Sequence, residues 1–171
     1  MRHAAHPSRF SKLALSALLL AWLTLLATPP ALADDLIGKV IRVSDGDTLT
    51  LLTAAHEKLQ IRLEGIDAPE MDQPYGKESR LALDGMVYRR EVTVRPVTID
   101  KYGRTVGRVF LGTLDVNLEM VRLGLAWRYD HYSQEPALGQ AQEQARAKRW
   151  GLWQDRNPTP PWDWRHAREQ K

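Results

Sequence analysis

The chain contains no cysteine. Disulfides, thiolate metal sites and a cysteine nucleophile are therefore excluded. Histidine is scarce: beyond residue 33 only His56, His131 and His166 remain, with no paired spacing. A zinc site or a serine–histidine triad would need more than that. Long hydrophobic runs are missing, with one exception. Leu13 to Ala27 is apolar apart from Ser16 and Thr24, and it is shorter than the roughly 20 residues a spanning helix requires. No internal repeat is present. Excess charge of one sign is also missing once the N-terminus is set apart. The formal net of +3 over 171 residues equals the contribution of Arg2, Arg9 and Lys12.

That N-terminal stretch has the order of a secretory signal peptide: basic residues without acids, the apolar run, the break Thr28-Pro29-Pro30, and the small-x-small site Ala31-Leu32-Ala33. Cleavage is expected after Ala33, with a secreted or periplasmic product and no stable membrane anchor. Removing 33 of 171 residues leaves 138, and 24 basic residues less those three leaves 21 against 21 acidic. Overall charge is then no argument for a polyanion partner, and any such site must be a local patch. A chain of this size can bury one core without disulfides. The expected organisation is a signal peptide over 1–33, one domain over 34–153, and a proline- and tryptophan-rich tail over 154–171.

Asp34 to Val43 reads as a strand with Ile37, Ile41 and Val43 in alternation. Ser44-Asp45-Gly46 is a turn, and Thr48 to Thr53 is a second strand. Lys58 to Ile66 is a third, with Leu59, Ile61 and Leu63 on one side and Gln60, Arg62 and Glu64 on the other. Gly76 to Arg89 reads as a helix with Ser79, Leu83, Met86 and Val87 on one stripe. Strands over Glu91–Val97 and Val106–Leu111 flank the polar hairpin Asp100 to Arg104. Two more helices are expected, over Val116–Leu123 (inner face Leu118, Val121 and Leu125) and about Pro136–Trp150, the latter capped by Gly151. Three strands, a helix and two strands point to an α+β, mainly β fold: a five-stranded OB-type barrel with about three packed helices.

The chemistry gathers around Ile61 to Glu70. Pro69 stops the ladder and holds Ala68 extended, so Arg62, Asp67 and Glu70 are presented near one strand end. Arg62 precedes Asp67 by five residues, roughly 16 Å of extended chain, a gap that only a bend can close. Asp47 opens the second strand. Asp47 and Asp67 are hard oxygen donors of the kind that bind calcium or magnesium; each also reads as a turn former. An EF-hand does not fit, since counting from Asp45 places Leu49 and Thr50 at the fifth and sixth loop positions. Glu70 can accept a proton from water or be a solvated loop acid. Arg62 and Arg104 can clamp a phosphate or form surface ion pairs. Tyr102, Tyr129 and Tyr132 can stack on bases or pack on the barrel. Trp150, Trp153, Trp162 and Trp164 read as packing residues for the last helix and tail.

Four pieces in order — Val43 to Thr48, Arg62 to Glu70, Asp100 to Arg104, and Asn117 to Ala126 — resemble the staphylococcal (thermonuclease-like) nuclease family, and the likeness runs from about Ile37 to Trp153. The resemblance implies an OB-fold barrel carrying a Ca2+-dependent phosphodiesterase that acts on DNA and RNA. It implies that Asp47 and Asp67 bind the metal through carboxylates and Ala68 through its carbonyl. Staphylococcal nuclease has threonine at the Ala68 position; a carbonyl ligand survives that change, whereas the hydroxyl's outer contact does not. By the same likeness Glu70 orients or deprotonates the water, and Arg62 and Arg104 hold the phosphate. Lys101 and Tyr102 lie beside a terminal phosphate, and Tyr132 lies near the base. A monomer is expected. The alternatives are a non-catalytic OB-fold module that binds nucleic acid or peptide, which a broken catalytic set would favour, and an envelope-anchored interaction protein.

Overall fold

The computed structural model describes residues 34–129 and 135–170. The expected signal peptide and Tyr132 lie outside the described residues. Among those described, no helix is long and apolar enough to cross a membrane.

The first three strands form the expected antiparallel meander: β1 (Leu36–Val43), β2 (Thr48–Thr53) and β3 (Lys58–Leu63). The third strand ends earlier than its alternation suggests. A turn at Glu64 and Gly65 separates β3 from the two-residue β4 (Ile66–Asp67), and Gly65 takes a φ of 73° there, a backbone conformation that glycine adopts without penalty. Helix α1 (Gly76–Val87) follows, then β5 (Glu91–Ile99), β6 (Thr105–Leu111), β7 (Leu114–Asp115) and α2 (Val116–Arg122). Strand β8 (Trp127–Arg128), α3 (Pro136–Lys148), a 3₁₀ turn (Gly151–Gln154) and α4 (Pro161–Glu169) complete the described chain.

The main sheet runs β3-β2-β1-β5-β6-β7, and a parallel pairing of β3 with β6 closes it into a five-stranded barrel, as expected. Its core holds Val40, Leu49, Leu51, Ile61, Leu63, Val92, Val94 and Val109, roofed by Leu83 and Val87 from α1 and by Met120 and Val121 from α2. A smaller cluster, Trp127, Ala145, Leu152 and Trp153, lies beside it with Tyr75 and Trp162 against it. The short β4 pairs with β8, so that Asp67 lies opposite Trp127. The backbone of a site residue is therefore bonded to the aromatic cluster.

Several local expectations are corrected. In β1 the inward residues are Gly38, Val40 and Val43, whereas Ile37 is exposed and Ile41 half-buried. A bulge between Val40 and Arg42 shifts the alternation by one residue. In α2 the buried residues are Val116, Asn117, Met120 and Val121, and Leu118 and Leu125 only pack at the margin. Helix α3 is capped by Arg149 with a φ of 54°, not by Gly151. A Cβ at Gly151 would lie 2.1 Å from the Gly124 carbonyl oxygen, so glycine is needed there for close backbone approach. The expected tail contains α4, with proline at its first position, Asp163 in its first turn and His166 and Arg168 in its last. These are ordinary helix-end signals.

Asn117 ties the Glu64–Gly65 turn to the barrel. Its side chain accepts from the Val109 amide at 3.0 Å and donates to the carbonyls of Glu64 at 2.9 Å and Gly107 at 3.3 Å. It is almost fully buried, so its loss leaves backbone groups without partners. Asn117→Ala is expected to cost about 2–4 kcal/mol of unfolding free energy in a denaturant titration. A change below ~0.5 kcal/mol would contradict this role.

Candidate active site

The turn at Gly65 closes the gap between Arg62 and Asp67. The Arg62 guanidinium spans two carboxylates: one nitrogen lies 2.7 Å from Asp47 Oδ2, and the other donates to Asp67 Oδ1 at 2.7 Å. Asp47 is fixed from further directions. Its Oδ2 accepts from the Ala68 amide at 2.7 Å and its Oδ1 from the Thr48 hydroxyl at 3.0 Å, while its own amide donates to Asp45 at 3.0 Å. The Ser44–Asp47 turn packs tightly on the residues behind it, since a Cβ at Gly46 would lie 1.8 Å from Ser79 Oγ and 2.7 Å from Ala68 Cβ. Ser79 in turn donates to the Leu125 carbonyl at 2.6 Å. Glu70 follows Pro69 and is oriented through its amide, which donates to Gln73 Oε1 at 3.1 Å. Asp47, Arg62, Asp67 and Ala68 are thus bonded into one group, with Glu70 two residues beyond Ala68.

Acidic charge is crowded here. Burial pushes the Asp67 carboxyl above its usual range; Asp47 adds to the rise, and hydrogen bonds from Arg165 oppose it. Asp45 is pushed up to about 7, by burial first and by Asp47 next. Two buried carboxylates, the hard-oxygen chemistry of the set and the surplus of negative charge fit a hard divalent cation. Among the described residues, no three acidic or histidine side chains converge on one point; Arg62 and Arg165 are paired with Asp47, Asp67 and Glu70.

One of these arginines was not visible in the sequence. From α4, Arg165 donates to Asp67 Oδ2 at 2.8 Å, to Asp67 Oδ1 at 3.3 Å and to Glu70 Oε1 at 2.8 Å. Nothing in Pro161 to Lys171 distinguishes Arg165 from Arg168, which pairs instead with Asp72 at 2.8 Å. The signal lies three residues earlier, where Trp162 stacks on Tyr129 and meets Trp127 edge-on. One helical turn after that anchor, a side chain points the same way. Gln73 is the second residue missed, and its Nε2 donates to the Thr159 carbonyl at 2.6 Å. Tyr129, considered as a base-stacking residue, is engaged in that aromatic packing.

The hairpin residues form a separate group. Arg104 donates to Asp100 at 2.7 Å, and among the described residues it pairs with none of Asp47, Asp67 or Glu70. Arg104 lies just before β6, two residues ahead of Val106, which pairs opposite Arg62 of β3, so period-two alternation extended one residue beyond the strand directs it to the face that carries Arg62. Tyr102 is 71% exposed, with Lys101 Nζ 5.0 Å and Arg104 Cζ 5.5 Å from its ring centre. A cleft of about 760 Å³ lies elsewhere and is lined by Arg146, Arg149, Arg156 and Trp153 among others. It is open and of mixed charge, and none of Asp47, Arg62, Asp67 or Glu70 lines it.

The Asp100–Arg104 pair has a checkable pH signature. Partial burial raises the Asp100 carboxyl, but hydrogen bonds from the Arg104 amide and side chain and the Tyr102 amide outweigh it and hold the carboxyl below the usual carboxylate range. The hairpin's contribution to stability is therefore in place above the ordinary aspartate range and lost as pH falls through the lower folded value. An NMR titration of Asp100 should show a midpoint below the ordinary aspartate range that moves upward in Arg104→Ala. An unmoved midpoint would separate the two residues.

Comparison with known proteins places this geometry in a family. Residues 60–155 match the family model described as staphylococcal nuclease homologue. A Haemophilus influenzae protein called an uncharacterized endonuclease is 45% identical over 127 residues, which is 74% of this chain and 71% of the relative. An Escherichia coli uncharacterized endonuclease is 42% identical over 81% of this chain and 91% of its own length. A Shigella flexneri micrococcal nuclease is 37% identical over 86% of this chain and 90% of its own. With Arg62, Asp67, Ala68, Glu70 and Arg104 inside the matched span, and Asp47 bonded to Arg62 and Ala68 from before it, the chain belongs to the staphylococcal nuclease family.

Proposed function

We propose that this chain is an exported, Ca2+-dependent nuclease that hydrolyses phosphodiester bonds of DNA and RNA. The observation that carries the reading is the fixed set of Asp47 and Asp67, tied together by one guanidinium, with Glu70 beside them. The names of its relatives support nuclease activity. The N-terminal apolar segment and its Ala31–Ala33 site support export to the periplasm or medium.

In this reading Asp47, Asp67 and the Ala68 carbonyl hold the metal. Calcium when bound supplies a positive centre that acidifies water and offsets phosphate charge. Glu70 accepts the proton of the attacking water. Arg62, already held as a two-pronged donor by two carboxylates, presents the fork geometry that suits phosphate and the added charge of the transition state. Arg104, on the same face, supplies a second guanidinium after exchanging Asp100 for phosphate. Lys101 and Tyr102 lie at the exposed hairpin tip, where a cation and an open ring suit a terminal phosphate and its nucleotide. The protein acts as a monomer.

Purified residues 34–171 are expected to cleave single-stranded DNA with calcium and to stop when the ion is chelated. Glu70→Gln should retain nucleic-acid binding and lose about 10²–10⁴-fold in turnover. Arg62→Lys should be similarly impaired, because an ammonium cannot bridge Asp47 and Asp67 or grip phosphate as a fork. Turnover by Glu70→Gln at the parent rate would remove Glu70 from the chemistry, and cleavage that persists in chelator would remove calcium.

A further inference from the structure

We propose that Arg165 is an internal counter-ion that must leave before the site can take its metal, so that α4 is a cation-operated latch over the carboxylates. This rests on the calcium-dependent reading above. Both oxygens of Asp67 are taken by guanidinium groups: Oδ1 accepts from Arg62 and, at 3.3 Å, from Arg165, while Oδ2 accepts from Arg165 at 2.8 Å. A calcium ion needs carboxylate oxygens at about 2.3–2.6 Å. It cannot occupy the edge of Asp67 that a fork of N–H donors already covers.

Charge leads to the same conclusion. Asp47, Asp67 and Glu70 face Arg62 and Arg165, which leaves one negative charge if all are ionised. Exchanging Arg165 for a divalent cation brings the cluster to neutrality. Keeping both would leave a positive excess with too few oxygens to share. Arg165 also holds Glu70 Oε1 at 2.8 Å, so one departure frees a metal ligand and the proton acceptor together.

The helix that carries Arg165 is built to be displaced without unfolding the barrel. It has nine residues, too short to persist in water without docking, and only Pro161 within it is buried. It is held by Trp162 against Trp127 and Tyr129, by Arg168 and the Trp164 indole on Asp72, and by Gln73 on the Thr159 carbonyl. Arg165 supplies its one charged link to the carboxylate cluster among the described residues. Gln73 donates to the segment before α4 while it accepts from the Glu70 amide. Movement of α4 and the setting of the Glu70 loop are thereby joined through one side chain.

The test is calorimetric titration of calcium into residues 34–171 without nucleic acid, for the parent protein, Arg165→Ala, Arg165→Gln and Arg168→Ala, each shown to be folded by circular dichroism. It is paired with amide hydrogen exchange of residues 161–169. Loss of Arg165 should tighten calcium binding about tenfold, since a bidentate charge-assisted pair no longer competes. Arg168→Ala should leave the affinity within about twofold. Calcium should speed exchange of α4 in the parent protein. Calcium bound equally by the parent and both Arg165 variants, with α4 exchange unchanged, would overturn the latch and leave the calcium-dependent reading standing. Calcium bound by none of the four proteins would overturn both.

Discussion

The site depends on a single guanidinium bonded to two carboxylates that the chain delivers from different strands. Arg62 is half-buried on β3, Asp47 directly precedes β2, and Asp67 ends β4. Two buried acids would repel each other and shed their charge if left alone. Arg62 makes both tolerable, and Ala68 and Thr48 complete the partners of Asp47. The rest of the barrel serves to hold these three side chains in register. The β2–β3 pairing sets Thr48 opposite Arg62, the Gly65 turn folds Asp67 back, and Asn117 pins that turn to β6.

The surrounding elements then act as supports of different stiffness. Behind Asp67 the backbone pairing to Trp127 leads into a packed aromatic cluster. Behind Asp47 the Gly46 turn sits against Ser79 of α1 without room for a methyl group. On the open side the support is lighter: a short helix, three aromatic rings and a few charged links. Fixed acids that are to meet a ligand need rigidity beneath and access above, and the packing is distributed in that way.

Much of this was legible in the residue order. Alternation in Leu59, Ile61 and Leu63 placed Arg62 on the polar side of its strand, and the polar residues between Asp100 and Arg104 marked a hairpin. What alternation could not show was the bend. The stretch from Lys58 to Ile66 reads as one strand, and only a left-handed glycine at 65 converts a separation of roughly 16 Å along the chain into contact. The bulge in β1 was hidden for a related reason, because one inserted residue reverses which side chains face inward. Arg165 was out of reach for a different cause. Its role depends on where Trp162 docks, a contact with residues more than thirty positions earlier, and no local pattern encodes that.

The claim that most needs a direct look is that Asp47 and Asp67 form a cation site which Arg62 orders for phosphate. A crystal structure of residues 34–171 grown with calcium and a nucleoside 3′,5′-bisphosphate would examine it. The expected result is an ion bonded to both aspartates and to the Ala68 carbonyl, with the Arg62 fork turned onto the phosphate. An ion bound elsewhere, with Arg62 still joining the two carboxylates and the nucleotide remote from them, would contradict it.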